Sequence, residues 1–361
     1  MKARVILTRL FVFSATFIPI LILTIIFGLF GFFSAQAIPV LAVIAIFKYL
    51  GVNIGLSYIW LFALMIISGI LRGVLRYSEH LTGHYTAFIM LANIRSKLFA
   101  KLRLLAPARL EGKEKGNLIA LVTSDIEMLE IFYAHTIAPI MIFIIHSLIM
   151  VLTFMLLGAW PLALVALALY LTNGALIPVT KGKKTKVHAE GYRSSFATLA
   201  STFVDSVYGT RDLISLGKVH KKNQELVDYT DVVESKNKDF KFAFASLKSL
   251  SDLIIYLFMT LFLALGIYLF KVNLIDSFIL ILSFVLLLGS FGPSLALNAL
   301  PSTLSHTLAA GERILSFLDE TPEVMPITDG KDLVYEWAEI NDVSFKYKSE
   351  EVLENVSLKF E

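Results

Sequence analysis

No cysteine occurs among the 361 residues of the chain. This absence excludes disulfide bonds, thiolate metal sites and cysteine nucleophiles. Charged residues are also scarce, because Asp, Glu, Lys and Arg together make up 17% of the sequence, whereas an ordinary soluble domain has about a quarter. The net charge is only +3, which gives no support to a nucleic-acid partner. The composition therefore points away from a soluble protein.

A phosphate-binding loop of the form Gly-x-x-x-x-Gly-Lys-Ser/Thr is also missing from the sequence. Such a loop cradles the phosphates of ATP, so the chain as given is not expected to bind and hydrolyse ATP alone. The histidines do not follow the spacing of a metal site, and we assign no metal to them.

Apolar residues are abundant, since they make up 57% of the chain and include 28 Phe. Six apolar stretches are long enough to cross a bilayer, which predicts an all-α membrane fold with six transmembrane helices. We place them at residues 10–33, 58–75, 136–157, 161–179, 253–270 and 277–297. The first is expected to continue through residues 40–47 as a broken helix, because Gly28, Gly31 and Pro39 punctuate it.

A cleaved signal peptide is the alternative interpretation of the first stretch. Basic residues precede it, and Ala35-Gln36-Ala37 has the small-x-small form of a cleavage site. The apolar part of a signal peptide has only about 7–15 residues. The stretch is much longer than that, which favours a membrane span.

Lysine and arginine are concentrated in two connections, between the second and third stretches and between the fourth and fifth. By the positive-inside rule these connections are cytosolic, which predicts a multi-pass protein of the cytoplasmic membrane with both termini inside. Both connections are long and rich in helix-forming residues, so we expect long helices that extend inward. A single helix from Tyr58 to Leu105 would reach about 70 Å, more than twice the ~30 Å hydrocarbon core.

Four side chains at four-residue spacing, Arg72, Arg76, His80 and His84, follow the membrane part of this helix. Each step of four residues rotates by only ~40° around the axis, so the four share one face. A charge at bilayer depth usually faces a protein interior or a water-filled path. The pattern therefore predicts that these residues bind a substrate. The alternatives are that the two arginines reach the lipid headgroups, or that Arg76 pairs with Glu79.

The sixth apolar stretch ends in a series of helix-breaking residues. Glycine and proline at this spacing predict a kink, which either faces a translocation path or serves packing alone. The residues are Gly289, Gly292, Pro293, Asn298 and Pro301.

The end of the chain changes to alternating, strand-forming residues. Residues 338–347 and 352–360 predict a β-hairpin. It follows a proline-bearing linker at residues 321–337, and we expect it to begin a soluble domain.

Four segments together resemble the membrane half of ABC exporters with six spans and long intracellular loops. They are residues 116–125, 209–217, 309–322 and 341–347. The resemblance implies an exporter-type transmembrane domain at residues 1–320, the linker at 321–337, and the first part of an α/β ATP-binding domain at 338–361. In this interpretation the sequence stops before the phosphate loop.

The same resemblance implies roles for single residues. Gly116 and Asp125 belong to the first coupling segment, which passes motion to a nucleotide-binding domain, and Gly209 and Arg211 belong to the second. Tyr347 corresponds to the aromatic residue that stacks on adenine in the full-length protein. The resemblance further implies ATP and Mg²⁺ as cofactors, and ATP-coupled translocase activity for the full-length protein.

Residues 76–84, together with residues 105–110, resemble the CydC half of CydDC-type exporters, with His80 where that family usually has arginine. This implies a heterodimer with a CydD-like half-transporter. It also implies a thiol substrate, such as glutathione or cysteine, or haem. His84 would be a haem-iron ligand, with the arginines beside the propionates, and the alternative is a hydrogen-bonded structural histidine.

We therefore predict one half of an ATP-driven ABC exporter that moves a small anionic solute by alternating access. The alternative is a non-catalytic membrane subunit or scaffold of a heterodimeric transporter, which binds ligand without ATPase activity. A channel or secondary transporter would predict acidic relays within the membrane, which we do not find in the sequence.

Overall fold

Long α-helices form almost all of the protein in this computed structural model, which describes residues 3–13, 15–106, 109–110, 115–297, 300–322, 336–347 and 350–361. Two π-helical turns, Tyr133–Ile137 and Thr172–Leu176, join neighbouring helices without a break. The helices are α1 (Ala3–Phe13), α2 (Ile18–Tyr49), α3 (Tyr58–Leu105), α4 (Lys115–Val122), α5 (Ser124–Phe132), α6 (Ala138–Leu156), α7 (Trp160–Leu171), α8 (Ile177–Tyr208), α9 (Thr210–Ser215), α10 (Val219–Lys271), α11 (Ser277–Gly289), α12 (Gly292–Ala296) and α13 (Leu300–Leu318).

Six helical segments of the described chain are long and apolar enough to cross a membrane. They confirm the predicted all-α membrane fold with six spans. Their bounds are Ile18–Tyr49, Tyr58–Leu105, Lys115–Leu156, Trp160–Thr180, Val219–Lys271 and Ser277–Ala296.

The first span differs from the prediction at both ends. Leu10 lies in the separate helix α1, which a 3₁₀ turn at Ala15–Phe17 divides from α2. Leu10 is buried against α13, so this early apolar stretch serves packing. Pro39 lies inside the unbroken helix α2, and the expected break is wrong. A membrane helix can contain proline without a break, because groups on neighbouring helices can satisfy the backbone carbonyl that loses its hydrogen bond. Ala35-Gln36-Ala37 lies within the same helix.

Helix α3 is continuous, as the sequence predicted. Ser57 caps its start, because the Ser57 hydroxyl accepts a hydrogen bond from the backbone N–H of Trp60. Its 48 residues extend over about 72 Å. The helix therefore carries side chains well beyond the apolar part that begins at Tyr58.

Two long helices, α8 and α10, form the second predicted extension and pack side by side. The rings of Tyr192 and Phe240 stack between them with their centroids 6.1 Å apart. The six-residue helix α9 lies at the tip, between the end of α8 and the start of α10. The expected hairpin of long helices is confirmed.

The buried residues fall into two main clusters. One joins α6, α7, α10 and α11, where the rings of Phe154 and Phe262 meet edge to face at 5.4 Å. The other joins α1, α3, α5 and α13, and contains Ile94, Leu129 and Ile314. The second cluster holds the first predicted coupling segment against the end of the last helix.

The last span is interrupted where glycine and proline predicted a kink. Helix α11 ends at Gly289 and α12 begins at Gly292. A Cβ atom on Gly292 would lie 2.6 Å from Cε1 of Phe32, so the glycine permits close contact with α2. Asn298 lies outside the described residues.

The predicted hairpin consists of β1 (Ala338–Tyr347) and β2 (Glu350–Phe360), which pair antiparallel. The second strand begins slightly earlier than expected. The register shifts after Ile340, near the left-handed residues Asp342 and Asn355, whose φ angles are 50° and 48°. Most of the expected linker, residues 323–335, lies outside the described residues.

Candidate functional site

A cavity of about 700 Å³ lies between α2, α3, the turn that precedes α6, and α12. Small residues provide much of its space, because glycine and alanine leave room where larger side chains would fill it. Among them are Gly28, Gly31, Ala35, Gly83 and Ala138. The kink residues Gly292 and Pro293 also line it, so the interruption of the last span borders this space.

All four residues of the predicted stripe, Arg72, Arg76, His80 and His84, line the cavity. The expectation that they share one face is confirmed, since they descend α3 at four-residue intervals along one wall. In the part of the chain that the structure describes, no carboxylate lies within ion-pair distance of Arg72. The guanidinium of Arg72 is therefore available to a ligand.

Three imidazole rings meet in the lining of the cavity. The ring centroids of His80 and His84 are 4.3 Å apart, and those of His84 and His135 are 5.0 Å apart. Sequence reasoning left His135 unassigned, because no regular spacing connects it with α3. It lies in the π-helical turn after α5, and a turn of this kind inside a continuous helix is common at functional sites.

His84 is held by a carboxylate from another helix. Its Nδ1 lies 3.0 Å from Oε1 of Glu130 on α5. The opposite ring nitrogen, Nε2, is buried and has no hydrogen-bond partner among the described residues. The alternative role of His84, that of a hydrogen-bonded structural histidine, is thus met at Nδ1. At Nε2 it is not met, because that atom has no partner among the described residues.

Glu79 brings a negative charge into the cavity wall. Its Oε2 accepts a hydrogen bond of 2.6 Å from Nη1 of Arg76. The side chain of Glu79 is 13% exposed and that of Arg76 is 67% exposed. The pairing that the sequence left as an alternative for Arg76 is therefore formed, and it leaves most of the guanidinium open to the cavity.

Within the described ranges, no group of three or more His, Cys, Asp or Glu side chains is arranged to hold a metal ion. The imidazole cluster is therefore not a preformed metal centre.

The first predicted coupling segment forms α4 and α5. Gly116 lies exposed near its start, whereas Asp125 is buried and binds Arg313 of α13. Nε of Arg313 donates to Oδ2 of Asp125 at 2.7 Å, and this hydrogen bond raises the pKa of the guanidinium. A second cavity of about 860 Å³ adjoins this pair. Asp125 thus ties the segment to the last helix, and its carboxylate faces the same chain.

The second predicted coupling segment surrounds α9. Arg211 is exposed and Gly209 is half-buried at the junction with α8. Large apolar side chains stand beside them, since Tyr208 is 87% exposed and Leu216 is 66% exposed. The tip of this helical hairpin therefore presents an apolar surface.

Helix α1 is linked to the end of α13 by an ion pair that the sequence did not suggest. The guanidinium of Arg9 donates to both carboxylate oxygens of Asp319, at 2.5 and 2.7 Å. This hydrogen bonding lowers the pKa of Asp319. Tyr133 links α1 to the π-helical turn after α5, because its hydroxyl donates to the backbone carbonyl of Leu10 at 3.0 Å.

Tyr347 ends strand β1, and its side chain lies outside what the structure describes. Its predicted contact with adenine stays a prediction.

Comparisons with known proteins agree with this architecture. The family model for the ABC transporter transmembrane region matches residues 9–293. A probable ABC transporter ATP-binding/permease protein of Haemophilus influenzae is 36% identical over 340 residues, which are 94% of this chain and 61% of that protein.

Two further relatives are described as parts of a glutathione/L-cysteine transport system. The ATP-binding/permease protein CydD of Bacillus subtilis is 28% identical over 194 residues, covering 52% of this chain and 31% of the relative. The protein CydC of Haemophilus influenzae is 23% identical over 262 residues, covering 70% and 44%.

The chain spans 61% or less of the length of these curated relatives. The family model, in contrast, covers most of the chain, and it includes the first five candidate membrane spans and nearly all of the sixth. The chain is therefore a multi-pass membrane protein that belongs to the ABC transporter transmembrane-region family.

Proposed function

We propose that the chain is the membrane half of an ATP-driven exporter that moves a small anionic solute across the cytoplasmic membrane by alternating access. A thiol compound such as glutathione or cysteine is the substrate class that we favour. The observation that carries this proposal is the cavity, on which Arg72, Arg76, His80 and His84 converge. Relatives described as glutathione/L-cysteine transport proteins support the substrate class.

The positions of the cavity residues along α3 support a transport path. Arg72 follows the start of α3 by about 21 Å and His84 by about 39 Å, given ~1.5 Å per residue. The ~30 Å hydrocarbon core therefore ends between these two residues. The two arginines of this wall, near the inner edge of the membrane, would stabilise a ligand carboxylate that enters from the cytosol, because a charge there is stabilised by opposite charge.

Two coupling segments would pass the motion of nucleotide-binding domains to this cavity. In the first, Gly116 and Asp125 belong to α4 and α5, and the Asp125–Arg313 pair would move α13 together with α5. In the second, Gly209 and Arg211 frame α9, whose exposed apolar neighbours suit a docking surface. A rigid helix that extends from the membrane can carry such a movement over its whole length.

The full-length protein would use ATP and Mg²⁺, with Tyr347 stacking on adenine, as the ATP-binding/permease relatives suggest. Its partner would be a CydD-like half-transporter in a heterodimer, and both termini would lie in the cytosol. The domain bounds that we propose are residues 1–320 for the membrane domain, 321–337 for the linker and 338–361 for the start of the ATP-binding domain.

ATP-dependent uptake into inverted membrane vesicles tests this function, with the full-length gene product co-expressed with its candidate partner. We expect uptake of radiolabelled glutathione or L-cysteine. Arg72→Ala and Arg76→Ala are each expected to reduce uptake about tenfold or more, because a charged hydrogen bond to the ligand is lost. Arg103→Ala is the matched control, since Arg103 is exposed on the same helix and does not line the cavity.

Unchanged uptake in both cavity variants would contradict the proposed substrate site. Uptake that survives loss of ATP binding in this subunit, but fails when the partner's ATP site is inactivated, would favour the non-catalytic subunit over the ATP-hydrolysing half. A vesicle preparation that carries neither solute would contradict the thiol substrate class.

Haem binding is a second candidate, because Nε2 of His84 lacks a hydrogen-bond partner among the described residues. Neutral imidazole is a common axial ligand of haem iron, and Arg72 and Arg76 could pair with the propionates. Because Nε2 of His84 is buried, side chains around it must move before it can reach an iron atom.

Titration of haemin into the purified full-length protein tests this second candidate. Wild type should give the absorption spectrum of histidine-ligated haem, and His84→Phe should lose it, whereas His188→Phe, outside the cavity, should keep it. Identical spectra for wild type and His84→Phe would exclude His84 as the ligand.

A further inference from the structure

The carboxylate of Glu79 gives the cavity a charge pattern that a simple anion does not match. The lining contains the guanidinium groups of Arg72 and Arg76, and between them and the imidazoles it contains Glu79. A second carboxylate, that of Glu130, stands behind His84. The wall is therefore of mixed sign, although the stripe of α3 read alone is cationic.

Packing fixes the position of Glu79. Helix α2 passes close to it, because a Cβ atom on Gly28 would lie 3.2 Å from Cδ of Glu79 and 2.3 Å from Cδ1 of Ile142. Glycine at this position therefore leaves the space that the carboxylate occupies. At 13% exposure, the Glu79 side chain has little contact with solvent and depends on Arg76 for its counter-charge.

A ligand carboxylate that binds Arg76 must compete with Glu79 for the same guanidinium. The ligand carboxylate would then lie next to the carboxylate of Glu79, which is poorly hydrated. Two negative charges in direct proximity repel strongly when water does not screen them. An ammonium group on the same ligand removes this penalty, because it pairs with Glu79 while the ligand carboxylate pairs with Arg76.

The spacing suits such an exchange of partners. Arg76 and Glu79 are 2.6 Å apart at their closest atoms, and the ammonium and carboxylate of an α-amino acid are borne on one carbon atom. A single ligand can therefore replace the internal ion pair with two external ones and leave no buried charge without a partner.

We propose that Glu79 recognises an ammonium group of the transported solute, so that the cavity selects zwitterions over simple anions of similar size. This inference rests on the proposed transport function and narrows its substrate class. Glu79 is then a specificity-determining residue, whereas Arg72 and Arg76 supply attraction to carboxylates.

Two ligands that differ in the ammonium group alone test the inference. L-Cysteine and 3-mercaptopropionate share the thiol and the carboxylate, and 3-mercaptopropionate lacks the amine. Uptake of both is measured in inverted vesicles that contain the full-length protein and its partner. Wild type should transport L-cysteine with the lower KM. Glu79→Gln should raise the KM for L-cysteine by about tenfold and lower the KM for 3-mercaptopropionate, because the introduced amide neither repels the ligand carboxylate nor holds Arg76 in an ion pair.

The matched control is Glu234→Gln, the same chemical change on α10, where Glu234 is 61% exposed and pairs with Lys238. It should leave both KM values unchanged. Glu79→Asp retains the negative charge and should retain the preference for L-cysteine.

Equal increases in both KM values in Glu79→Gln would overturn the inference, because they would indicate a structural role that acts through Arg76. The inference would also be overturned if Glu79→Asp lost the preference for L-cysteine over 3-mercaptopropionate as completely as Glu79→Gln. If Glu79→Gln does not reach the membrane, wild type decides, since equal KM values for the two ligands would overturn the inference. Wild-type vesicles that carry neither thiol would instead refute the proposed function.

Discussion

Nδ1 of His84 lies 3.0 Å from Oε1 of Glu130, across the contact between α3 and α5. Glu130 shares α5 with Asp125, and Asp125 binds Arg313 of α13. Two polar contacts and one short helix thus connect the cavity wall with the last helix, α13. His84 and α13 are therefore connected through α5.

The contact between His84 and Glu130 should contribute measurably to stability. Glu130→Ala removes the partner of a half-buried imidazole, and we expect a loss of about 1 kcal/mol in the free energy of unfolding. The double variant with His84→Ala should be less destabilised than the sum of the two single variants. Thermal unfolding in detergent measures this coupling, and strictly additive effects would contradict it. Pairing His84→Ala with Glu127→Ala on the same helix provides the additive control.

The pair of Asp125 and Arg313 predicts an asymmetry between its two halves. The Asp125 side chain is 9% exposed, whereas that of Arg313 is 58% exposed. Arg313→Ala leaves a buried carboxylate without a counter-charge and should cost about 2–3 kcal/mol. Asp125→Asn leaves an arginine that water can solvate, so its cost should be about half as large.

Thermal unfolding of both variants checks the order of these effects. Equal destabilisation, or a larger effect of Asp125→Asn, would show that burial of the carboxylate does not set the energy of the pair. Lys238→Ala serves as the control, since its partner Glu234 is exposed.

Gln36 and His146 form a buried hydrogen-bonded pair. We therefore expect the stability lost by replacing Gln36 to be partly recovered when His146 is replaced as well. Nε2 of His146 lies 3.2 Å from Oε1 of Gln36, and the His146 ring stacks on Phe33 at 5.1 Å. Gln36→Leu should cost about 1–3 kcal/mol, because a buried ring nitrogen loses its partner. Adding His146→Phe should recover much of this loss, since it removes the unpaired polar group and keeps an aromatic ring beside Phe33.

The melting temperatures of the two single variants and the double variant test this prediction. A double variant less stable than Gln36→Leu alone would contradict it.

His306 predicts a loss of stability in mild acid. Burial lowers the pKa of His306 most, and the charge of Arg193 lowers it further. Glu190 opposes this shift, and Lys186 adds a smaller effect in the lowering direction. Since the unfolded chain binds this proton more readily, the stabilising contribution is present above about pH 6.5 and is lost as the pH falls below that value. His306→Gln should therefore flatten the dependence of the melting temperature on pH between about 5 and 7.

The matched control for this prediction is His220→Gln, which changes an exposed histidine on α10. An unchanged pH dependence in His306→Gln would assign the acid sensitivity to other groups.

The sequence predicted those parts of the structure that depend on local pattern. The length of α3 followed from the lack of helix breakers after Tyr58, and the common face of Arg72 and His84 followed from helical geometry. The interruption near Gly292 followed from residue chemistry. These features need no knowledge of which helix lies beside which.

The remaining parts of the site depend on contacts between distant segments. Glu130 and His135 reach His84 only because α5 and its π-helical turn pack against α3, and nothing in their spacing indicates this contact. The separate helix α1 was missed because Leu10 is apolar enough to extend the first span. Only the packing of Leu10 against α13 distinguishes the two cases.

The ion pair between Arg9 and Asp319 places the two ends of the membrane region at one point. Helix α1 leads directly into the first span, and Asp319 directly follows the last helix. A displacement of Asp319 therefore acts on α1 as well as on α13, because the ion pair joins the chain before the first span to the chain after the last span.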